Sequence, residues 1–289
     1  MKKSFSHLPK HKRDEIKAVV KIINKMIDAE FVILFGSYAR GDWVEDVYKG
    51  DDGTTYEYKS DYDLLIVVED LPKYEYKGYR KRIKSKARRS EDCETRLSII
   101  MHSVDEFKEA IKSGNYFFTD IKKEGILLHS SRRFRLPAVK ELSAKERKVK
   151  AEANFKNWFE SAKGFFGQYD FAITKKENNI AAFELHQAAE RFYHTILLVF
   201  TDYKPKLHDL EELGVLVDRL SSKLKNTFPK ETKEEKRLFE LLKRAYTEAR
   251  YNMAYEITKK ELKYLAGRVT TLRDLTEKIC KLKIKSFTK

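Results

Sequence analysis

The sequence predicts an α+β chain built in two parts, and three observations predict it. Short apolar runs of strand character, at 31–35 and 64–68, alternate with segments of helical spacing in the first part. Beyond residue 140 the strand signals stop and helical periodicity takes over. Between the two lie Arg132, Arg133, Arg135 and Pro137, which read as a linker because Pro stops regular structure and the charges call for water. The expected division is 1–137, a mixed sheet with flanking helices, and 138–289, an all-α bundle.

Taken in order, Ile16, Val19, Val20, Ile23, Met26 and Ile27 keep helical spacing, so the first helix should lay one face on the sheet. Strands are expected at 31–35, 64–68, 96–101 and 126–129. Asp52-Gly53 is a tight-turn signal. With Val44, Val47 and Tyr48 before it and Thr55, Tyr56 and Tyr58 after it, the stretch at about 43–60 reads as an inserted β-hairpin. Ser103 with Glu106 is a capping-box pattern, placing a helix after the third strand. Ser143 with Glu146, Thr232 with Glu235 and Thr258 with Glu261 repeat that pattern in the second part. There Phe155, Trp158, Phe159, Ala162, Phe165, Phe166, Tyr169 and Ile173 form an apolar stripe that reads as core rather than a cofactor box. Further helices are expected at about 179–200, 207–222, 234–255 and 259–284.

With 289 residues the chain has room for two domains, each with its own core. Hydrophobic content of 42% with 36% charged residues describes a globular rather than a disordered protein. No apolar run approaches the roughly 20 residues that cross a bilayer, so no membrane partner is expected. The basic N-terminus lacks an apolar stretch of the kind that directs export. Cys93 and Cys280 stand far apart, which implies neither a disulfide framework nor a zinc site. A cytoplasmic location is the expectation. The net charge of +15 invites a nucleic-acid partner, and the densest basic cluster is 77–89, where Lys77, Arg80, Lys81, Arg82, Lys84, Lys86, Arg88 and Arg89 are all cationic. A solvated helix face is the plainer reading of that cluster. From 42 to 70, by contrast, ten acids face only Lys49 and Lys59. Such an acidic lip suits a metal site or a cationic acceptor.

Gly36 and Ser37 close the first apolar run, while Asp61 and Asp63 open the second. Strand residues two apart share a face, so the two carboxylates should project together, about 7 Å apart along the chain. Close carboxylates repel unless a cation sits between them, and Mg2+ (or Mn2+) takes one or two carboxylates while leaving positions for water and phosphate. At Gly36 the missing side chain lets backbone N–H groups approach a phosphate. Tyr38-Ala39-Arg40 can begin a helix whose positive end favours anions, and Arg40 could add a charged bond.

These residues resemble a known family. GSYARGD followed by SDYDLLIVV is similar to the minimal nucleotidyltransferase signature, a Gly-Ser turn ahead of Asp-x-Asp in a DNA polymerase beta-like fold, as in kanamycin nucleotidyltransferase. The spacing departs from the pattern: 23 residues separate Ser37 from Asp61, more than is usual there, and the inserted hairpin accounts for them. The resemblance implies ATP as donor and a third carboxylate on a later strand. In RLSIIMH that position falls on Ser98, a poor metal ligand and no general base unaided. Glu94, four residues upstream, either reaches the cleft as a substitute base or is a solvated loop acid.

The second part carries a resemblance of its own. AAFELHQAAERFYHTILLVFT, PKLHDLEEL and AYTEARYNMAYEIT are similar to the HEPN helical domain, often found beside or fused to minimal nucleotidyltransferases. Some HEPN domains are ribonucleases that use an Arg followed by a His. The matching residue is Arg250, and Tyr255 stands where the His would be. Tyrosine titrates near 10, so the standard ribonuclease action is not expected. His186 and Glu190 lie one helical turn apart, with His208 ahead of the next helix. Either they meet Arg250 in a cleft, or His186 pairs with Glu190 and His208 caps a helix.

Three functional expectations follow. The first is Mg-dependent transfer of AMP from ATP to a hydroxyl acceptor, be it a small molecule such as an aminoglycoside, RNA or a protein tyrosine, with the helical domain forming one wall of the acceptor cleft. The second is a single-chain toxin-antitoxin-like or defence module in which the helical part binds or cleaves RNA and is regulated by adenylylation of Tyr251 or Tyr255. The third, motivated by Ser98, is nucleotide binding without turnover. Pairing of the helical part into a homodimer is a further expectation from the resemblance.

Overall fold

The computed structural model describes residues 1–49 and 55–288, with the backbone alone for 46–49 and 55–58. The chain divides into two compact units, Met1–Glu141 and Leu142–Lys289.

In the first unit, α1 (Lys10–Met26) buries Ile16, Val19 and Ile23, the helically spaced residues of its apolar face. It leads into β1 (Ala29–Phe35), the one-turn α2 (Ser37–Arg40), the paired β2 (Glu45–Lys49) and β3 (Thr55–Lys59), and β4 (Tyr62–Val68). Then follow α3 (Tyr76–Arg88), β5 (Leu97–Ser103), α4 (Val104–Lys112), α5 (Tyr116–Glu124) and β6 (Ile126–Ser130). The main sheet runs β5-β4-β1-β6: β1 is antiparallel to β4 and β6, whereas β4 and β5 are parallel. A parallel pair cannot be closed by a hairpin, so α3 serves as the crossover between β4 and β5.

Alternation then assigns the two faces. Tyr62, Leu64, Ile66 and Val68 join Val32 and Leu34 in a core with Ile16, Val19 and Ile23 of α1 and Ile83 and Ala87 of α3. Ile33, Leu65 and Val67, on the other face, are fully buried, with α4 against β4 and β5 and α5 against β1. The four sheet strands expected from the sequence are present, each a residue or two longer or shifted. The hairpin strands β2 and β3 are antiparallel, pairing Glu45 with Lys59 through Lys49 with Thr55. The Asp52-Gly53 turn lies outside the described residues.

Two expectations for this unit change. The helix after Ser37 is a single turn, too short for aligned peptide dipoles to accumulate at its start. In the linker, Arg133 is not left to water. It bonds Asp28 at 2.7 Å and pairs with the buried Glu30, whose uncompensated charge would be costly.

The second unit is helical: α6 (Ala144–Thr174), α7 (Asn178–Thr201), α8 (Leu210–Asp218), α9 (Lys233–Arg244), α10 (Glu248–Tyr251) and α11 (Lys259–Ser286). The helix α7 runs through the middle of the core, burying Ala181, Leu185, Ala189, Phe192, Ile196 and Val199, and α6, α11 and α8 pack on it. All four capping boxes form, at Ser103, Ser143, Thr232 and Thr258. Of the aromatic stripe on α6, Phe159, Ala162 and Tyr169 are buried, while Trp158 turns to His194, Arg191 and Lys204. Two helices are shorter than expected. Asp209 rather than His208 caps α8, accepting from the N–H groups of Glu211 and Glu212. The expected helix 234–255 ends at Arg244. Asn252 then makes a turn, accepting from Ala254 N–H, that carries Tyr255 into the core.

Candidate functional site

In the first unit the turn and Asp63 meet at one end of the sheet. Register places Phe35 opposite Asp63, and Asp63 opposite Ser98 on the parallel strand. Gly36 follows Phe35 with φ 73° and ψ −155°, a region that only glycine enters readily. A methyl group built there would collide with Asp63 Oδ2 and sit 3.2 Å from its Cγ. The absence of a side chain is therefore what allows the turn backbone to touch the Asp63 carboxylate. Asp61 immediately precedes β4, and Asp61, Asp63, Ser37 and Ser98 are all half-buried. As the opening residues of a helix, Ser37 and Tyr38 have N–H groups that intrahelical bonding cannot use. The turn is held from beneath: Tyr38 stacks on Trp43 at 5.5 Å, meets Tyr62 edge-on at 4.5 Å, and its carbonyl contacts His7 Nε2 at 2.9 Å.

Arg40 ends the helical turn exposed, its Nε donating to Asp42 at 3.1 Å. Glu94 is exposed in the loop ahead of β5. Ser98, rather than an acid, is the β5 neighbour of Asp63. Sequence reasoning missed a buried polar group on the opposite face of the sheet. There Lys12 donates to Thr95 at 3.0 Å and pairs with Glu45, while Glu15 accepts from Thr95 N–H at 3.3 Å. Tyr38 donates to Glu45 at 3.2 Å, so this network fastens the base of the hairpin to the helical turn. The Lys12 hydrogen bond holds the Glu45 carboxyl below its ordinary range, and burial pushes the Tyr38 and Tyr62 hydroxyls up.

In the second unit Glu190 is the centre of a polar cluster on α7. Its carboxylate lies 3.1 Å from His208 Nδ1, 3.6 Å from His186 Nε2 and 3.8 Å from His194 Nδ1. His186 donates Nδ1–H to the Leu242 carbonyl at 2.9 Å, which can only accept. Burial alone would raise the Glu190 pKa, but the nearby His186, His208 and His194 imidazoles outweigh it and hold the carboxyl below its ordinary value. His194 is pulled down to about 4, first by burial and then by the Lys204 charge. His208 is half exposed and stacks on Tyr246, ring centres 4.7 Å apart. Arg250 donates to the Tyr246 carbonyl at 2.8 Å and lies over the rings of Phe183, Tyr251 and Tyr246 at 4.7, 4.9 and 5.0 Å.

The structure thus brings His186, Glu190 and His208 together and links them to Arg250 through Tyr246. Tyr255 does not join them: it is 2% exposed and its hydroxyl donates to the Leu241 carbonyl at 2.9 Å. His194 was missed, although its position four residues after Glu190 placed it on the same helical face.

The family comparison bears on this unit. The HEPN domain family matches residues 155–279. The matched stretch takes in most of α6, all of α7 to α10 and most of α11, including the Glu190 cluster and Arg250. No curated protein matches the chain. Among the described residues no group of three or more His, Cys, Asp or Glu side chains is placed to hold a metal ion, and within the Glu190 cluster His208 alone stands at hydrogen-bond distance from the carboxylate. No helix among them is long and apolar enough to cross a membrane.

Proposed function

We propose that the first unit is a metal-dependent nucleotidyltransferase that moves a nucleoside monophosphate, AMP from ATP, onto a hydroxyl. The observation that carries this reading is the close approach of Gly36 to the Asp63 carboxylate, with Asp61 two residues earlier in the chain. That approach supports a site in which one triphosphate would meet both the turn N–H groups and the metal-binding carboxylates. Two carboxylates fit magnesium, whose remaining positions go to water and phosphate oxygens, and the ion would offset negative charge at the phosphorus. The N–H groups of Ser37 and Tyr38 would hold the triphosphate tail. In the reaction a hydroxyl oxygen bonds to the α-phosphorus, the bond to the β-phosphate oxygen breaks, and pyrophosphate leaves. The hydroxyl proton would pass to solvent or to Glu94, since Ser98 cannot take it unaided. The test is pyrophosphate release from ATP and Mg2+ with aminoglycosides, RNA or the protein alone as acceptor. Asp61→Asn and Asp63→Asn should each abolish it; unchanged release from either variant would refute the assignment.

A second reading, a regulatory module in which the HEPN domain acts on RNA and is modified by the transferase unit, is favoured by Tyr251. That side chain is 78% exposed and sits under the Arg250 guanidinium, an accessible acceptor beside a cation that would attract a triphosphate. Mass spectrometry after incubation with ATP and Mg2+ separates the readings. A stable adduct on Tyr251 supports the module, and label found only on an added acceptor supports the enzyme.

A further inference from the structure

The cations of this chain are treated in two ways. On most surface helices they are paired one turn away with an acid, as in Lys17–Asp14, Lys112–Glu109, Lys163–Glu160, Arg237–Glu234, Arg244–Glu248 and Lys281–Glu277. On α3 they are not. Positions 77–89 hold eight Lys and Arg and no acid, a charge of +8 against +15 for the whole chain. Among the described residues none of these eight has a carboxylate within ion-pair distance. Seven are exposed, and Arg80 is half-buried. The helix is nonetheless firmly seated, because Tyr76, Ile83 and Ala87 are buried against the sheet and α1. A rigid rod of unpaired like charges repels itself, and a polyanion relieves that repulsion.

Two aromatic side chains narrow the polyanion. Tyr74, just ahead of α3, is 83% exposed, and Tyr79 carries the Arg82 guanidinium 4.2 Å over its ring. An exposed phenol ring and a guanidinium plane both accept a stacked base, but only one that is unpaired. We infer that the outer face of α3, with Tyr74 at its start, binds single-stranded RNA, the cations taking backbone phosphates and Tyr74 and Arg82 taking bases. RNA is the source to which we commit because polynucleotide with unpaired bases is chiefly RNA. This surface belongs to the first unit and does not depend on the transferase reading, which is tested by turnover rather than binding.

The experiment uses the full-length protein and a fluorescent 12-nucleotide RNA of unstructured sequence, followed by anisotropy across a salt series. If four cations each neutralise a phosphate, log affinity should fall against log salt with a slope of about −2.8, or about 50-fold between 50 and 200 mM. Replacing Lys81, Lys84 and Arg88 together by Gln, all exposed, should flatten that slope by about 2. Lys163→Gln with Lys281→Gln, a control on paired cations elsewhere, should leave it unchanged. Tyr74→Ala should weaken binding about tenfold with the slope retained. Circular dichroism of each variant checks the fold. Binding by the triple variant equal to wild type, no measurable binding at 50 mM salt, or tighter binding of a duplex of the same length would each overturn the inference.

Discussion

Gly36→Ala adds one methyl group where the backbone has φ 73° and where the new Cβ would strike Asp63 Oδ2. It should cost about 1–3 kcal/mol from the backbone alone, measured by urea unfolding. It should also displace the carboxylate, so Mg-dependent ATP binding measured by calorimetry should fall further than stability does. The two tyrosines near Arg250 separate in the same way. Tyr255→Phe removes a buried donor from the Leu241 carbonyl and should destabilise by about 1–2 kcal/mol, whereas Tyr251→Phe, at an exposed site, should leave stability unchanged. A pH effect belongs to His194. Its pKa is lowered in the fold from 6.5 to about 4, so the unfolded chain binds the proton first. Stability is therefore fully present above pH 6.5 and is lost as pH falls toward 4, by about 3 kcal/mol over the window. Urea midpoints between pH 7.5 and 4.5 should show this fall, and His194→Phe should flatten it. At this scale the approach of Gly36 to Asp63 was legible because both lie at the ends of strands that pair. His194 and the Lys12–Glu45 network were not, since buried polar partners come from distant parts of the chain.

Helix ends were the most legible elements. The Ser or Thr with Glu three residues on is a local arrangement of side chain and backbone N–H, complete within one turn, so its four occurrences could be read before any packing was known. Thr258→Ala should reduce stability by about 1 kcal/mol, seen as a lower thermal midpoint, because it opens the cap of the 28-residue α11. Helix length was less legible. Periodicity from 234 to 255 continues past Arg244, yet the chain turns at Asn252 because burying Tyr255 with its hydroxyl satisfied outweighs a further helical turn. The same holds for α8, where Asp209 reaches two N–H groups and His208 is drawn to Glu190. The α3 cluster could be counted in the sequence. That its cations have no carboxylate partners among the described residues is a result of where the acids of other elements point.

At the scale of the molecule, each unit has its own core: one draws on residues from Phe5 to Leu128, the other on residues from Ala151 to Phe287. A fragment spanning 142–289 should therefore fold alone, giving a helical circular dichroism spectrum and a cooperative thermal transition; a featureless melt would contradict this. The sequence by itself determined the change from a mixed sheet to helices near residue 140, the capped starts of four helices and the candidate turn and carboxylates, because periodicity, capping and turn chemistry act over a few neighbouring residues. Only the tertiary structure decided that Gly36 closes on the Asp63 carboxylate, that three histidines surround Glu190 and that Tyr255 faces inward. Those outcomes depend on strand register and on the burial of groups far apart in the chain, and neither is encoded in local spacing.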